Sequence, residues 1–241
     1  MDGDRVATLE EMSKILVEVL GLKYDPVAIT LIKKGQQAPE GYGQPDKPIR
    51  HCQAIMRARH GESLLVPLDK QACPVGASSL GIVPIPEKVE SGEFHYNLGM
   101  YSSQEAARNM IRQRPALETG SVIAVALSPL AKARIEPDVV VVIGTPEQIY
   151  WLLPAATTFS VGGRITVEMA SMQASCADST VLPYITGKVN ISLGCFGCRK
   201  TTDIAPEHML VGIPMSKMED IVEAVKKMGE GPIPKSRVKV M

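Results

Sequence analysis

The sequence predicts a mixed fold, α/β or α+β, in which helices flank mixed sheets. Three observations carry this. Apolar runs of strand length, "PVAITLI", "SVIAVALS" and "DVVVVIG", recur along the chain. Between them stand segments of helical period with recognisable caps. The 241 residues, 45% apolar and 22% charged, suffice for one large domain with a sizeable core.

The elements follow in order. Thr8 and Glu11 form a capping box for a helix through Leu20, with Met12, Ile15, Leu16, Val19 and Leu20 on one face and Gly21 as its stop. Residues 26–32 read as a strand, and the turn-rich "KKGQQAPEGYGQPDKP" after it as a surface loop, with a flap as the alternative. Residues 49–59 read as a helix broken by Gly61, and residues 63–67 as a strand. Pro74 suits the first turn of a helix, and Ser103 opens another that runs to Arg112. Strands are expected at 121–128 and 138–144, then a helix started by Thr145, Pro146 and Gln148. "RITVEMA", "VNISLG" and "HMLVGIP" read as three further strands. The last helix is expected to be capped by Ser216 and Glu219, with Met218, Ile221, Val222 and Val225 facing inward.

The segments have a coarse symmetry. A single domain over 1–241 with pseudo-duplicated halves, 8–114 and 120–228, would put Cys73 and Cys176 at matching points, each just after the second strand of its half.

Charge and motifs exclude several function classes. The formal net charge is zero, so there is no electrostatic footprint for nucleic acid. The acidic N-terminus has no apolar run of signal-peptide length after it, and the most apolar strings are too short to span a bilayer. A cytoplasmic protein without nucleic-acid or membrane partners is expected. No P-loop, dinucleotide fingerprint, nucleophile elbow or H-E-x-x-H is present, and the four histidines form no ligand spacing.

Chemistry therefore rests on the five cysteines, an odd number that argues against a disulfide framework. Cys195 and Cys198, in "GCFGCRK", form a C-x-x-C turn whose Gly194 and Gly197 free the backbone. Such a turn serves a metal, a redox dithiol, or two buried side chains. Arg199 and Lys200 beside it read as plain surface charges, with stabilising thiolates or attracting an anionic substrate as the alternative. Cys73, ahead of Pro74, stands where a helix start would favour thiolate, and Gly76 and Ala77 allow close backbone approach to a bound group. Cys176 sits in the small, polar turn "QASCADST". Cys52 falls on the core face of its helix with Ile55 and Met56, although the adjacent His51 keeps a ligand role open. Cys73, Cys176, Cys195 and Cys198 make a four-thiolate set of the type that suits iron–sulfur or zinc. The dense cysteine runs of ferredoxins and the paired knuckles of zinc ribbons are absent.

Across "CQAIMRARHGESLLVPLDKQACPVGASSLG" and "VNISLGCFGCRK" the chain resembles the family known as domain of unknown function 169, found in archaea and anaerobic bacteria. The family's pattern falls on Cys52, on Cys73 with Pro74, Gly76, Ala77, Leu80 and Gly81, and on Gly194 with Cys195. The resemblance implies no established activity. It points to Cys73 and Cys195, and an anaerobic setting fits an oxygen-sensitive cluster.

The expectation is an iron–sulfur protein holding one [4Fe-4S] cluster for electron transfer or a reduction. It would act with a redox partner protein or a small-molecule substrate, with a homo-oligomer open. One alternative is a metal-free thiol oxidoreductase using Cys195 and Cys198. The other is a binding protein whose glycine-rich loops hold a small molecule, with zinc or nothing on the cysteines.

Overall fold

The computed structural model describes residues 7–157, 159–170 and 172–238. The strands expected in mixed sheets form one six-stranded sheet in which every pairing is antiparallel, in the order β2-β3-β1-β4-β6-β5. These are β1 (Val27–Lys33), β2 (Leu64–Pro67), β3 (Val122–Pro129), β4 (Val139–Gly144), β5 (Asn190–Ser192) and β6 (Met209–Pro214). Both halves of the chain contribute: β3 lies between β1 and β2, with Ile29 opposite Leu127 on one side and Leu64 opposite Leu127 on the other.

Helices cover both faces of the sheet, which is why its strands read as nearly continuous apolar runs. Successive side chains point to opposite faces. Val27, Ile29, Leu31, Val139 and Val141 therefore pack on one side, while Ala28, Val140, Val142, Val211 and Ile213 pack on the other. The second side is closed by α1 (Leu9–Leu20), by a helix at Pro146–Thr157 and by one at Met218–Gly229. Helix α1 has the expected Thr8–Glu11 capping box and ends at left-handed Gly21.

The first side carries the site. It is built from α2 (His51–Arg59), α3 (Pro74–Ser79), a π-helical segment at Ala177–Val181, and a short helix at Phe196–Thr201. Numbered in chain order, α4 (Glu87–Glu90), α5 (Glu93–Asn97) and α6 (Gln104–Arg112) make an outlying layer beside α3. The later helices are α7 (Pro146–Thr157), α8 (Leu182–Thr186), α9 (Phe196–Thr201), α10 (Met218–Gly229) and α11 (Pro232–Ser236). The π-helical segment crosses β6 at Gly212, where a Cβ would overlap the carbonyl of Ser179. That close approach seats Cys176 above the sheet.

Two expected elements differ. Residues 164–170 join no strand. The side chain of Asn190 takes the segment's backbone bonds instead: Oδ1 accepts from Glu168 N at 2.8 Å and Nδ2 donates to Glu168 O at 3.0 Å. The N-cap of α10 is Lys217 with no side-chain cap bond, because Ser216 sits in a tight 3-10 turn at Met215–Lys217. Met218, Ile221, Val222 and Val225 are buried as expected. Among the described residues no helix is long and apolar enough to cross a membrane.

Candidate thiol pocket

All five cysteines line one cavity of about 30 Å³. Each stands at or within the first turn of a helix. Cys73 and Cys195 are the N-caps of α3 and α9, Cys176 precedes the π-helical segment, Cys52 follows His51 at the start of α2, and Cys198 lies in the first turn of α9. Backbone N–H groups free at such starts point toward sulfur. Gly76 N donates to Cys73 Sγ and Cys198 N to Cys195 Sγ, each at 3.4 Å.

The thiols divide into two tiers. Cys52 and Cys198 are buried at the bottom, whereas Cys73, Cys176 and Cys195 also border a larger cleft of about 590 Å³. Cys195 Sγ donates to Cys198 Sγ at 3.4 Å, and Ser175 Oγ lies 3.4 Å from Cys198 Sγ. Hydrogen bonds from the Cys195 and Cys52 thiols hold the Cys198 thiol well below its usual range, against the opposing effect of burial. The same bonds keep Cys195 and Cys52 protonated, and burial with neighbouring sulfurs pushes Cys176 up. Deprotonating one of these sulfurs makes it harder to deprotonate its neighbours. A bound cation removes that penalty, because it favours every deprotonated sulfur at once.

The core position expected for Cys52 holds only in part. The residue does pack there, but the core face of α2 abuts the cavity, so Cys52 reaches Cys198. Gly76 and Gly197 line the cavity. A Cβ on Gly76 would lie 3.5 Å from Cys176 Sγ and 3.7 Å from Cys73 Sγ, and one on Gly197 3.7 Å from Cys195 Sγ. Ala77 is buried in the core beneath, and Gly194 shapes the entry to α9 at φ +79. Arg199 is no plain surface charge. Its guanidinium donates to the carbonyls of Leu193, Ala205 and His208 at 2.7, 2.7 and 2.6 Å.

A polar chain that no local sequence pattern predicts lies behind the thiols. His51 Nε2 lies 3.0 Å from Thr180 Oγ1, which donates to Ser175 O at 2.9 Å, and Ser175 Oγ meets Cys198. Burial lowers His51 to about 4, so it is neutral. The signal available in the sequence was the run of small hydroxyl residues around Cys176.

The cavity's donors are soft thiols, and N–H groups bond two of the sulfurs, the kind of contact that tunes a thiolate-held cluster. Among the described residues, no three metal-type side chains are disposed to hold a single ion as they stand.

The family model described as uncharacterised ArCR matches residues 15–224. The chain belongs to the DUF169 family. The matched span contains all five cysteines and both walls of the cavity. This DUF169 chain is also 34% identical over 224 residues to an uncharacterized protein of Methanocaldococcus jannaschii, a match covering 92% of this chain and 95% of that one. No solved structure matches it.

Proposed function

We propose that this DUF169 protein is an iron–sulfur protein, with Cys73, Cys176, Cys195 and Cys198 holding a four-iron cluster for electron transfer or a reduction. The observation that carries the reading is the convergence of five thiols from four separate chain segments on one cavity. Buried cysteines scattered for packing alone have no reason to meet. When bound, such a cluster supplies one electron at a time.

The chain's own groups do the rest. Ser175 Oγ lies 3.4 Å from Cys198 sulfur, and the Cys52 thiol lines the same cavity. The N–H groups of Gly76 and Cys198 donate to Cys73 and Cys195 sulfur, which spreads negative charge into the backbone. Neutral His51 anchors Thr180, and through it the Ser175 turn. The apolar cleft above Cys73, Cys176 and Cys195 limits water at the open side.

A second reading, a dithiol oxidoreductase, is favoured by the 3.4 Å separation of Cys195 and Cys198 sulfur. One experiment separates the two: iron and acid-labile sulfide content of protein purified without oxygen, with its visible spectrum. About four irons and four sulfides per chain, with broad absorption near ~400 nm, are expected of a cubane cluster on thiolates. Iron-free protein after anaerobic reconstitution, with a Cys195–Cys198 pair that cycles with dithiols, would establish the second reading instead.

A further inference from the structure

We propose that the cleft above the thiols binds a small organic acid with an apolar body. This names a substrate class for the same site and rests on the iron–sulfur reading only for what happens to the acid once bound.

The cleft's size, about 590 Å³, falls within the roughly 300–1,000 Å³ of small-molecule sites. Its wall is apolar, with Val75, Val89 and Met172 deep within it, and it carries three cations, Arg50, Lys88 and Lys200, but no carboxylate. Lys88 pairs with Glu93 at 3.8 Å. Arg50 and Lys200 have no carboxylate partner among the described residues. Two unpaired cations on an apolar wall complement an anion attached to an apolar body, and would repel an apolar cation.

Two of the chain's three phenylalanines support this. Phe94 and Phe196 stand 47% and 53% exposed at the cleft, joined by Leu98 at 45%. Large apolar side chains grouped in the open beside charged residues mark a binding surface. Lys200 lies 5.6 Å from the Phe196 ring centre, so cation and aromatic face sit together. His95, buried in the same wall, has no hydrogen-bond partner for Nδ1 among the described residues. Arg50 lines the thiol cavity as well as the cleft, so an acid group held there stands at the sulfur end.

The test uses the full chain and 8-anilinonaphthalene-1-sulfonate, an aromatic anion whose fluorescence reports apolar binding. Competitors of matched shape are 4-phenylbutyrate, its neutral amide, and 4-phenylbutylamine. Saturable probe binding is expected, with the acid displacing the probe at concentrations at least tenfold below the amide and the amine displacing it least. Lys200→Glu and Leu98→Glu, both at exposed positions, are expected to weaken displacement by the acid at least tenfold without moving the thermal unfolding midpoint. Equal competition by acid, amide and amine would overturn the proposal, as would the absence of saturable probe binding. Iron is measured on the same batch. Iron-free protein that prefers the acid retains this inference and loses the cluster, whereas iron-loaded protein with no preference does the reverse.

Discussion

Arg199 Nε donates to the carbonyl of Leu193 at 2.7 Å, so the residue after Cys198 grips the chain just before Cys195. The same guanidinium binds the carbonyls of Ala205 and His208. The C-x-x-C turn is thereby stapled to the segment that enters β6. Arg199→Ala leaves three carbonyls to find water and is expected to cost about 2–3 kcal/mol, read as a lower urea midpoint with an unchanged slope. Lysine, a point charge on a flexible stem, is expected to recover less than half of that.

Gly212 is where β6 passes beneath the π-helical segment, with no room for a side chain below the Ser179 carbonyl. Gly212→Ala has to push that backbone, and Cys176 with it, off the sheet. A loss of at least about 3 kcal/mol is expected. Soluble yield and thermal unfolding measure it.

Asp138 offers a pH test remote from the thiols. Its Oδ2 accepts from Leu31 N at 2.7 Å, and burial raises its pKa above the usual carboxylate value of 3.8. The folded state then holds this proton to higher pH than the unfolded chain does. The contribution to stability is full below 3.8 and is lost as pH rises through the elevated folded value. Asp138→Asn keeps an oxygen for Leu31 and never ionises, so it is expected to equal or exceed the wild type at pH 7 while losing that advantage near pH 3. Asp138→Ala strands the Leu31 N–H and is expected to cost about 1–3 kcal/mol at either pH. Urea titrations at the two pH values separate these outcomes.

Cys52 and Cys195 should differ on mutation. If the protein holds the proposed cluster, Cys52→Ser keeps a donor beside Cys198 sulfur and is expected to retain the iron and sulfide of the wild type. Cys52→Ala removes the donor and is expected to lower the reduction potential in voltammetry, since hydrogen bonds to sulfur favour the reduced state. Cys195→Ser and Cys198→Ser are expected to lose most of the iron.

Much of this architecture was legible residue by residue. The Thr8–Glu11 box and Gly21 marked α1, and strands buried on both faces announced themselves as unbroken valine and isoleucine runs. Residues 164–170 misled because their alternation suits a strand, but the neighbouring edge spends an asparagine side chain where a strand would pair. Cys195 and Cys198 were recognisable because local spacing alone brings them together. Cys52 and the His51–Thr180–Ser175 chain were not, since they meet only through helix packing between distant segments. The cleft lay beyond reach for the same reason: α3, α5 and α9 wall it together.

The position of β1 at the middle of the sheet sets a timetable for synthesis. Both its partners, β3 and β4, lie some hundred residues downstream. At about 5–20 residues per second, the nascent "VAITLIK" waits on the order of ten seconds with both edges bare. Pairing over such separations is slow, and an exposed apolar strand invites association with other chains. The last sheet strand to emerge, β6, follows Cys198. All five cysteines therefore leave the ribosome before the strands of the sheet are complete.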